Sequence, residues 1–143
     1  MIYFDTSYLV RLYFEDRGFE AVRKLAASDH VTCGAHGQAE LIAAFHRKFR
    51  EHAISLKPYR ALFAQFEADY QADAIRWLPT GPDVMARVRE VYRDLPADVY
   101  LRGADAIHLA GAAVHGQRTI YSNDAHLLAA ADYFGIEGEN VIP

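Results

Sequence analysis

Short apolar runs alternate along the chain with longer stretches in which apolar residues recur every three or four positions. The first run, Ile2-Tyr3-Phe4, closes on an acid, Asp5, and reads as a buried strand over 2–5. Thr6 and Ser7 supply N-cap hydroxyls for a helix carrying Leu9, Val10, Leu12 and Tyr13. A short helix over 17–28 and a second strand from His30 to Gly34 follow. From Gly37 to His52 the spacing is again helical, with Leu41, Ile42, Phe45 and Phe49 on one face and Arg47, Lys48 and Arg50 facing away as a solvated group. Pro58 fits the first turn of the next helix, along which Leu62, Phe63, Phe66 and Tyr70 recur.

A third strand, Ile75 to Leu78, stops at Pro79, and a helix from Asp83 to Arg93 ends before Pro96. Residues 97–103 read as loop. Residues 104–115 are helical and apolar on most sides, which predicts a buried helix. Thr119 to Ser122 makes a fourth strand, Asn123 to Phe134 a last helix, and Asn140 to Ile142 a candidate fifth strand. Strands alternating with helices imply parallel pairing through right-handed crossovers. The predicted fold is therefore an α/β three-layer α/β/α sandwich with a central parallel sheet of four to five strands. No repeat or linker divides the 143 residues, so a single domain over 1–143 is expected.

Most acids fall on polar helix faces, and four do not. Asp5 ends the first strand, and Asp124 follows the fourth where the next helix begins. In an open parallel sheet the ligand crevice lies off the carboxyl ends of strands. Glu40 lies near the start of its helix beside Leu41, Ala44 and Phe45, and Asp105 opens the most apolar helix. Singly, Asp105 and Asp124 read as caps or dipole partners and Glu40 as a capping-type glutamate. An acid closing a buried strand is harder to dismiss, because burial without a partner is expensive. Four carboxylates gathered at one edge repel unless a cation intervenes. All-oxygen ligation suits Mg²⁺ or Mn²⁺, as one or two ions. With Cys33 the only cysteine and no His-Glu-x-x-His helix, zinc is a poor candidate.

Charge sharpens this picture. The chain carries 15 Lys and Arg against 19 Asp and Glu, a net charge of −4. Setting the four acids aside leaves 15 against 15, so no broad basic surface offers avid non-specific nucleic-acid binding. No apolar stretch is long enough for a membrane span. The chain opens directly into a strand without a signal-peptide pattern, and these features together point to the cytoplasm.

Asp5-Thr6-Ser7-x-Leu9, Glu40 within a helix, Ala104-Asp105-Ala106-Ile107-His108-Leu109-Ala110 and Ser122-Asn123-Asp124 resemble the four signature blocks of PIN-domain nucleases. The size and block order resemble the VapC-type toxin ribonucleases of type II toxin–antitoxin systems, over essentially the whole chain. The resemblance implies a PIN-like fold and a shared metal site of Asp5, Glu40, Asp105 and Asp124. It also implies Thr6, Ser7 and Ser122 as hydroxyls that orient carboxylates or waters. Asn123 is an alternative for part of the Asp124 role, with Asp124 preferred because Ser122-x-Asp124 keeps the hydroxyl-to-acid spacing. The implied chemistry is Mg²⁺-dependent hydrolysis of RNA phosphodiesters, with a cognate antitoxin protein as partner and self-association into a homodimer.

Around that site, Arg102, His108, Arg118 and His126 are candidate RNA contacts, each with a plainer reading as a solvated cation or a satisfied histidine. Tyr13, Phe14, Tyr59 and Tyr70 are candidates for an antitoxin groove, against the simpler reading of core packing. The rivals are an inert PIN-like interaction module and a PIN nuclease acting on DNA or structured nucleic acid. A response-regulator receiver lacks its acid pair and lysine here, and an Asp-x-Asp phosphatase lacks its second acid.

Overall fold

The computed structural model describes residues 1–143. Strands Ile2–Phe4 (β1), Val31–Gly34 (β2), Ile75–Leu78 (β3), Thr119–Tyr121 (β4) and Glu137–Glu139 (β5) form one sheet in the order β3-β2-β1-β4-β5. Every pairing is parallel. Around it lie Thr6–Tyr13 (α1), Phe19–Ala26 (α2), Gly37–Arg50 (α3), Leu56–Gln71 (α4), Pro82–Asp94 (α5), Gly103–Val114 (α6) and Ala125–Ala130 (α7), the last followed by a 3₁₀ turn, Ala131–Phe134.

Side chains on β1 alternate between two cores, as the period of a strand requires. Phe4 packs with Tyr8, Leu9, Val22, Leu41 and Phe45 beneath α1, α2 and α3. Tyr3 packs with Val84, Leu109, Ile120 and Leu127 beneath α5, α6 and α7. These are the outer layers of the expected three-layer sandwich. α6 is buried along most of its length, through Asp105, Ala106, His108, Leu109, Ala110, Gly111 and Ala112.

Three expectations need correction. Asp5, not Thr6 or Ser7, caps α1: its backbone is extended and its carboxylate accepts from the Tyr8 N–H. The last helix breaks at Ala131 into a 3₁₀ turn ending on Gly135, which is left-handed at φ 74°. The fifth strand is Glu137–Glu139, an exposed edge strand with no apolar residue to mark it. Asn140 and Val141 instead close over α1, where the Tyr8 hydroxyl donates to Asn140 Oδ1 at 2.8 Å and accepts from the Val141 N–H at 2.7 Å.

Since β1 is central and the chain departs from it to both sides, the order of strands reverses between β1 and β4. That switch point is where an open parallel sheet leaves a crevice. Opposite this reversal, α3 is seated tightly on β2 at Gly37, where an added Cβ would lie 2.5 Å from Cys33 Sγ. Gly37→Ala is therefore expected to cost about 1–3 kcal/mol of stability by overpacking, read as a lowered denaturant midpoint with an unchanged slope.

Candidate metal centre

Asp5 leaves β1 with its carboxylate in the switch-point crevice and is 4% exposed. Ser7 Oγ donates to its Oδ1 at 2.6 Å, the Tyr8 N–H donates to the same oxygen at 3.1 Å, and Ser122 Oγ donates to Oδ2. Both serines are held in turn by the loop after β4. The Asn123 N–H donates to Ser7 Oγ and the Asp124 N–H to Ser122 Oγ, each at 2.9 Å. None of the groups bonded to the Asp5 carboxylate is a basic side chain. Burial raises its pKa, and the His108 ring and these hydrogen bonds offset that only in part.

Asp124 caps α7 by accepting from the His126 and Leu127 N–H groups at 2.8 and 3.2 Å. Its other oxygen accepts from Arg102 Nη2 at 2.6 Å, while Arg102 Nε reaches Asp105 Oδ2 at 2.8 Å. One guanidinium thus bridges two carboxylates from different elements. Cap and site readings of Asp124 are compatible, because one oxygen serves the helix and the other faces the crevice.

Glu40 stands on the first turn of α3. Its Oε1 accepts from Thr6 Oγ1 at 2.9 Å and from His108 Nε2 at 2.6 Å. Burial pushes the Glu40 carboxyl up, but these two donors outweigh it and leave the pKa lowered. Behind His108 the chain of bonds continues into the core. Tyr3 OH lies 3.0 Å from His108 Nδ1 and accepts from the Gly34 N–H at 2.8 Å. A phenol oxygen that accepts from a backbone amide has its own proton free for Nδ1, which places the proton of a neutral ring on Nε2, facing Glu40. The imidazolium carries a proton there too, so either form of His108 holds Glu40 in place.

These connections gather all four predicted acids, with Thr6, Ser7 and Ser122, at one edge. Asn123 is exposed there and contributes its N–H to Ser7, while its side chain accepts from Asn140 Nδ2 at 3.3 Å. Among the candidate RNA contacts, His126 is exposed beside Asp124 with its ring 4.9 Å from that of Tyr100. Arg102 is half-exposed and committed to its two acids. Two assignments are corrected. His108 is 1% exposed and lies beneath Glu40, so it does not face a polymer. Arg118 precedes β4 and lines a depression with Met1 and Ile2 at the opposite end of the sheet.

Arg47 and Arg50, read from sequence as facing away, line a groove of about 450 Å³ together with Thr6, Ser7 and Glu40. The signal was present, since Arg47 follows Glu40 by seven residues on the same helical stripe and Arg50 follows Arg47 by three. Lys48 leaves this face and pairs with Asp16. Tyr3 and His36 were also missed, because a buried strand tyrosine and a helix-start histidine carry no motif. A second groove of about 410 Å³ lies between α1 and α4, lined by Tyr13, Phe14, Ile54, Pro58 and Leu62 among others. Tyr59 and Tyr70 stand outside that lining: Tyr59 stacks on Phe49 with centroids 4.6 Å apart, and Tyr70 lies exposed beside Phe66.

The PIN domain family matches residues 2–133. The chain belongs to the PIN domain family. PIN domains are generally nucleases that use divalent metals. The whole chain superposes on solved structures as well. The FitAcB structure from Neisseria gonorrhoeae aligns with TM-score 0.76 at 20% identity, covering 98% of this chain and 97% of that one. VapBC2 from Rickettsia felis, bound to a promoter DNA fragment, aligns with TM-score 0.67 at 15% identity, covering 98% of each chain. The sarcin-ricin loop cleaving toxin VapC20 of Mycobacterium tuberculosis aligns with TM-score 0.68 at 20% identity, covering 91% of this chain and 95% of that one. At these identities the likeness is one of fold. No curated protein sequence matches.

The donor set at this edge is of the kind a hard divalent cation takes: carboxylates linked through shared hydroxyl, amide and guanidinium donors, with Asp5 buried and without a basic partner.

Asp5 also tests the electrostatics. Its folded pKa lies above the ordinary 3.8, so between that value and the folded pKa the native state binds more protons than the unfolded state. Stability then falls as pH rises through this window, and at neutral pH the ionised Asp5 opposes folding. In EDTA, Asp5→Asn is expected to melt above wild type at pH 7, with the gap closing as pH falls from the raised folded pKa toward about 4. A variant that melts lower across the whole range contradicts this electrostatic account.

Proposed function

We propose that this protein is a Mg²⁺-dependent endoribonuclease that hydrolyses RNA phosphodiester bonds, acting as the toxin of a toxin–antitoxin pair. The observation that supports the reading is the buried Asp5 at the switch point of a PIN domain, linked through Ser122, Arg102 and Thr6 to Asp124, Asp105 and Glu40 at the same edge. Asp5 and Asp105 would hold Mg²⁺ or Mn²⁺ most directly, with Glu40 and Asp124 completing the set as direct ligands or through water. A divalent ion bound there supplies charge stabilisation of the phosphoryl oxygens and lowers the pKa of a bound water.

The chain's own residues do the rest. Ser7 and Ser122 fix both oxygens of Asp5, so the carboxylate meets a cation without rotamer search. His108 and Thr6 keep Glu40 ionised and pointed at the crevice, where it can accept a proton from an attacking water. Arg102 neutralises Asp105 and Asp124 and can turn to a phosphate oxygen. Arg47 and Arg50 extend from Glu40 along the groove as a short cationic track, which suits a chain whose remaining charge is balanced. A cognate antitoxin fits the groove between α1 and α4, whose aromatic lining would receive an apolar partner segment. FitAcB and VapBC2 are solved as complexes, which supports a protein partner here. Cytoplasmic action and a homodimer complete the reading. No helix is long and apolar enough to cross a membrane.

Purified protein freed of bound peptide, incubated with total cellular RNA, is expected to yield discrete fragments with Mg²⁺ or Mn²⁺. EDTA and Asp5→Asn should abolish them. Intact RNA under all conditions, with divalent metal demonstrably bound, would favour the inert interaction module. Cleavage confined to DNA would move the substrate to the other nucleic acid.

The groove has its own signature. Arg47→Ala and Arg50→Ala should raise KM several-fold with kcat nearly unchanged, and each should reduce the slope of log KM against log salt by about 1. A loss in kcat alone would place these arginines at the reacting phosphate instead.

A further inference from the structure

His36 stands at the start of α3, one turn before Glu40, without a capping hydrogen bond, and packs its ring against that of His108 with centroids 4.1 Å apart. Both of its ring nitrogens are shielded from solvent, and neither has a hydrogen-bond partner. The Ala104 carbonyl approaches the ring without meeting it in hydrogen-bond geometry. Two unsatisfied nitrogens on one shielded imidazole are costly, and a native structure rarely leaves them so. Nothing in the nuclease reading uses them.

The surroundings supply the missing partner. His36 Nε2 lies 3.6 Å from Glu40 Oε1, and His108 Nε2 lies 2.6 Å from the same oxygen. The ligand atoms of His36, Glu40 and His108 all fall within 4.8 Å of one another. Ligands held about 2.0–2.1 Å from a tetrahedral zinc ion stand roughly 3.3 Å apart. The observed separations bracket that value, so small rotations of side chains would admit an ion. We propose that His36, Glu40 and His108 form a second metal site, selective for zinc-class transition ions and sharing only Glu40 with the carboxylate centre.

The donor chemistry supports the class. Two imidazoles and one carboxylate make a three-ligand set that suits Zn²⁺ and leaves a position open, whereas Mg²⁺ prefers all-oxygen shells. At His108 the ion takes the place of the Nε2 proton. The Nδ1 position then carries the ring proton toward the Tyr3 oxygen, a hydrogen bond of the kind that orients metal-bound histidines. Access runs through Glu40, which is part-exposed at the groove shared with Arg47 and Arg50. No single helix carries both histidines: His36 immediately precedes α3, Glu40 lies in its first turn, and α6 supplies His108.

Glu40 Oε1 belongs to both sets, so a zinc-class ion bound here withdraws that oxygen from the carboxylate centre. The binding stands apart from the nuclease reading, and only this consequence rests on it.

Co²⁺ and Zn²⁺ titrations of the full chain, without RNA, test the site. Wild type is expected to bind one Co²⁺ with the intense visible absorption of a four- or five-coordinate ion, and Zn²⁺ should bleach it in a 1:1 ratio while excess Mg²⁺ does not. His36→Asn places a smaller polar side chain where no capping hydrogen bond is made and no other partner is lost, so its melting temperature should stay near that of wild type. Its Zn²⁺ affinity should fall by more than the roughly 10–100-fold typical of losing a supporting hydrogen bond. His36→Ala should lose affinity to the same extent. Only the weak spectrum of octahedral Co²⁺, Mg²⁺ competing on equal terms, or equal Zn²⁺ affinity in the folded His36 variants would each overturn the proposal.

Discussion

The carboxylate of Asp5 is the constraint on which the crevice is organised. It lies buried at the end of the central strand, where charge is expensive, and it is kept there by hydroxyl and amide donors instead of a cation. The same group starts α1 by accepting the Tyr8 N–H. Through Ser7 and Ser122 it anchors the loop that begins α7. Two strand ends and two helix starts therefore share one set of hydrogen bonds, and a shift in any of them is felt at the carboxylate. A protein selected for stability alone would place an apolar residue here, so the cost marks the position as functional.

The other acids are stabilised by different means. Arg102 spans Asp105 and Asp124 from the loop before α6, an ion pair that solvent can reach and a competing charge can reopen. Glu40 is held by the buried succession Gly34, Tyr3 and His108, which solvent does not reach. The crevice thus has a rigid side built from the sheet and α3, and a more adaptable side built around an exposed arginine. Arg47 and Arg50 add local positive charge where the chain as a whole carries a net −4, which directs an anionic polymer to one groove without making the whole surface adhesive.

Much of this was legible in the amino-acid order. The runs read at 2–5, 30–34, 75–78 and 119–122 marked four strands to within a residue at their ends, and the small, apolar helix at 104–115 marked the buried one. The four acids were recognisable because they break the pattern in which charge stays on polar faces. What escaped did so for physical reasons. Glu137-Gly138-Glu139 pairs by backbone alone at the sheet edge and has no apolar signal, whereas the more apolar Asn140–Ile142 segment covers Tyr8. Thr6 and Ser7 are ordinary cap residues in sequence, yet their hydroxyls are taken by Glu40 and Asp5, leaving the cap to Asp5 itself. His108 has the spacing of a surface neighbour of Asp105, but α6 is buried on that side as well. The Tyr3 contact joins residues 105 positions apart, and no local pattern encodes it.

The central claim, that carboxylates from four separate segments make one cation site, is tested most directly by anomalous diffraction from crystals of the protein soaked in Mn²⁺. The account predicts a strong anomalous peak in contact with Asp5 and Asp105, with Ser7 and Ser122 still bonded to Asp5 and Arg102 turned away from at least one of its acids. An ordered crevice with Arg102 still bridging Asp105 and Asp124, and no anomalous peak beside Asp5 at saturating Mn²⁺, would contradict it.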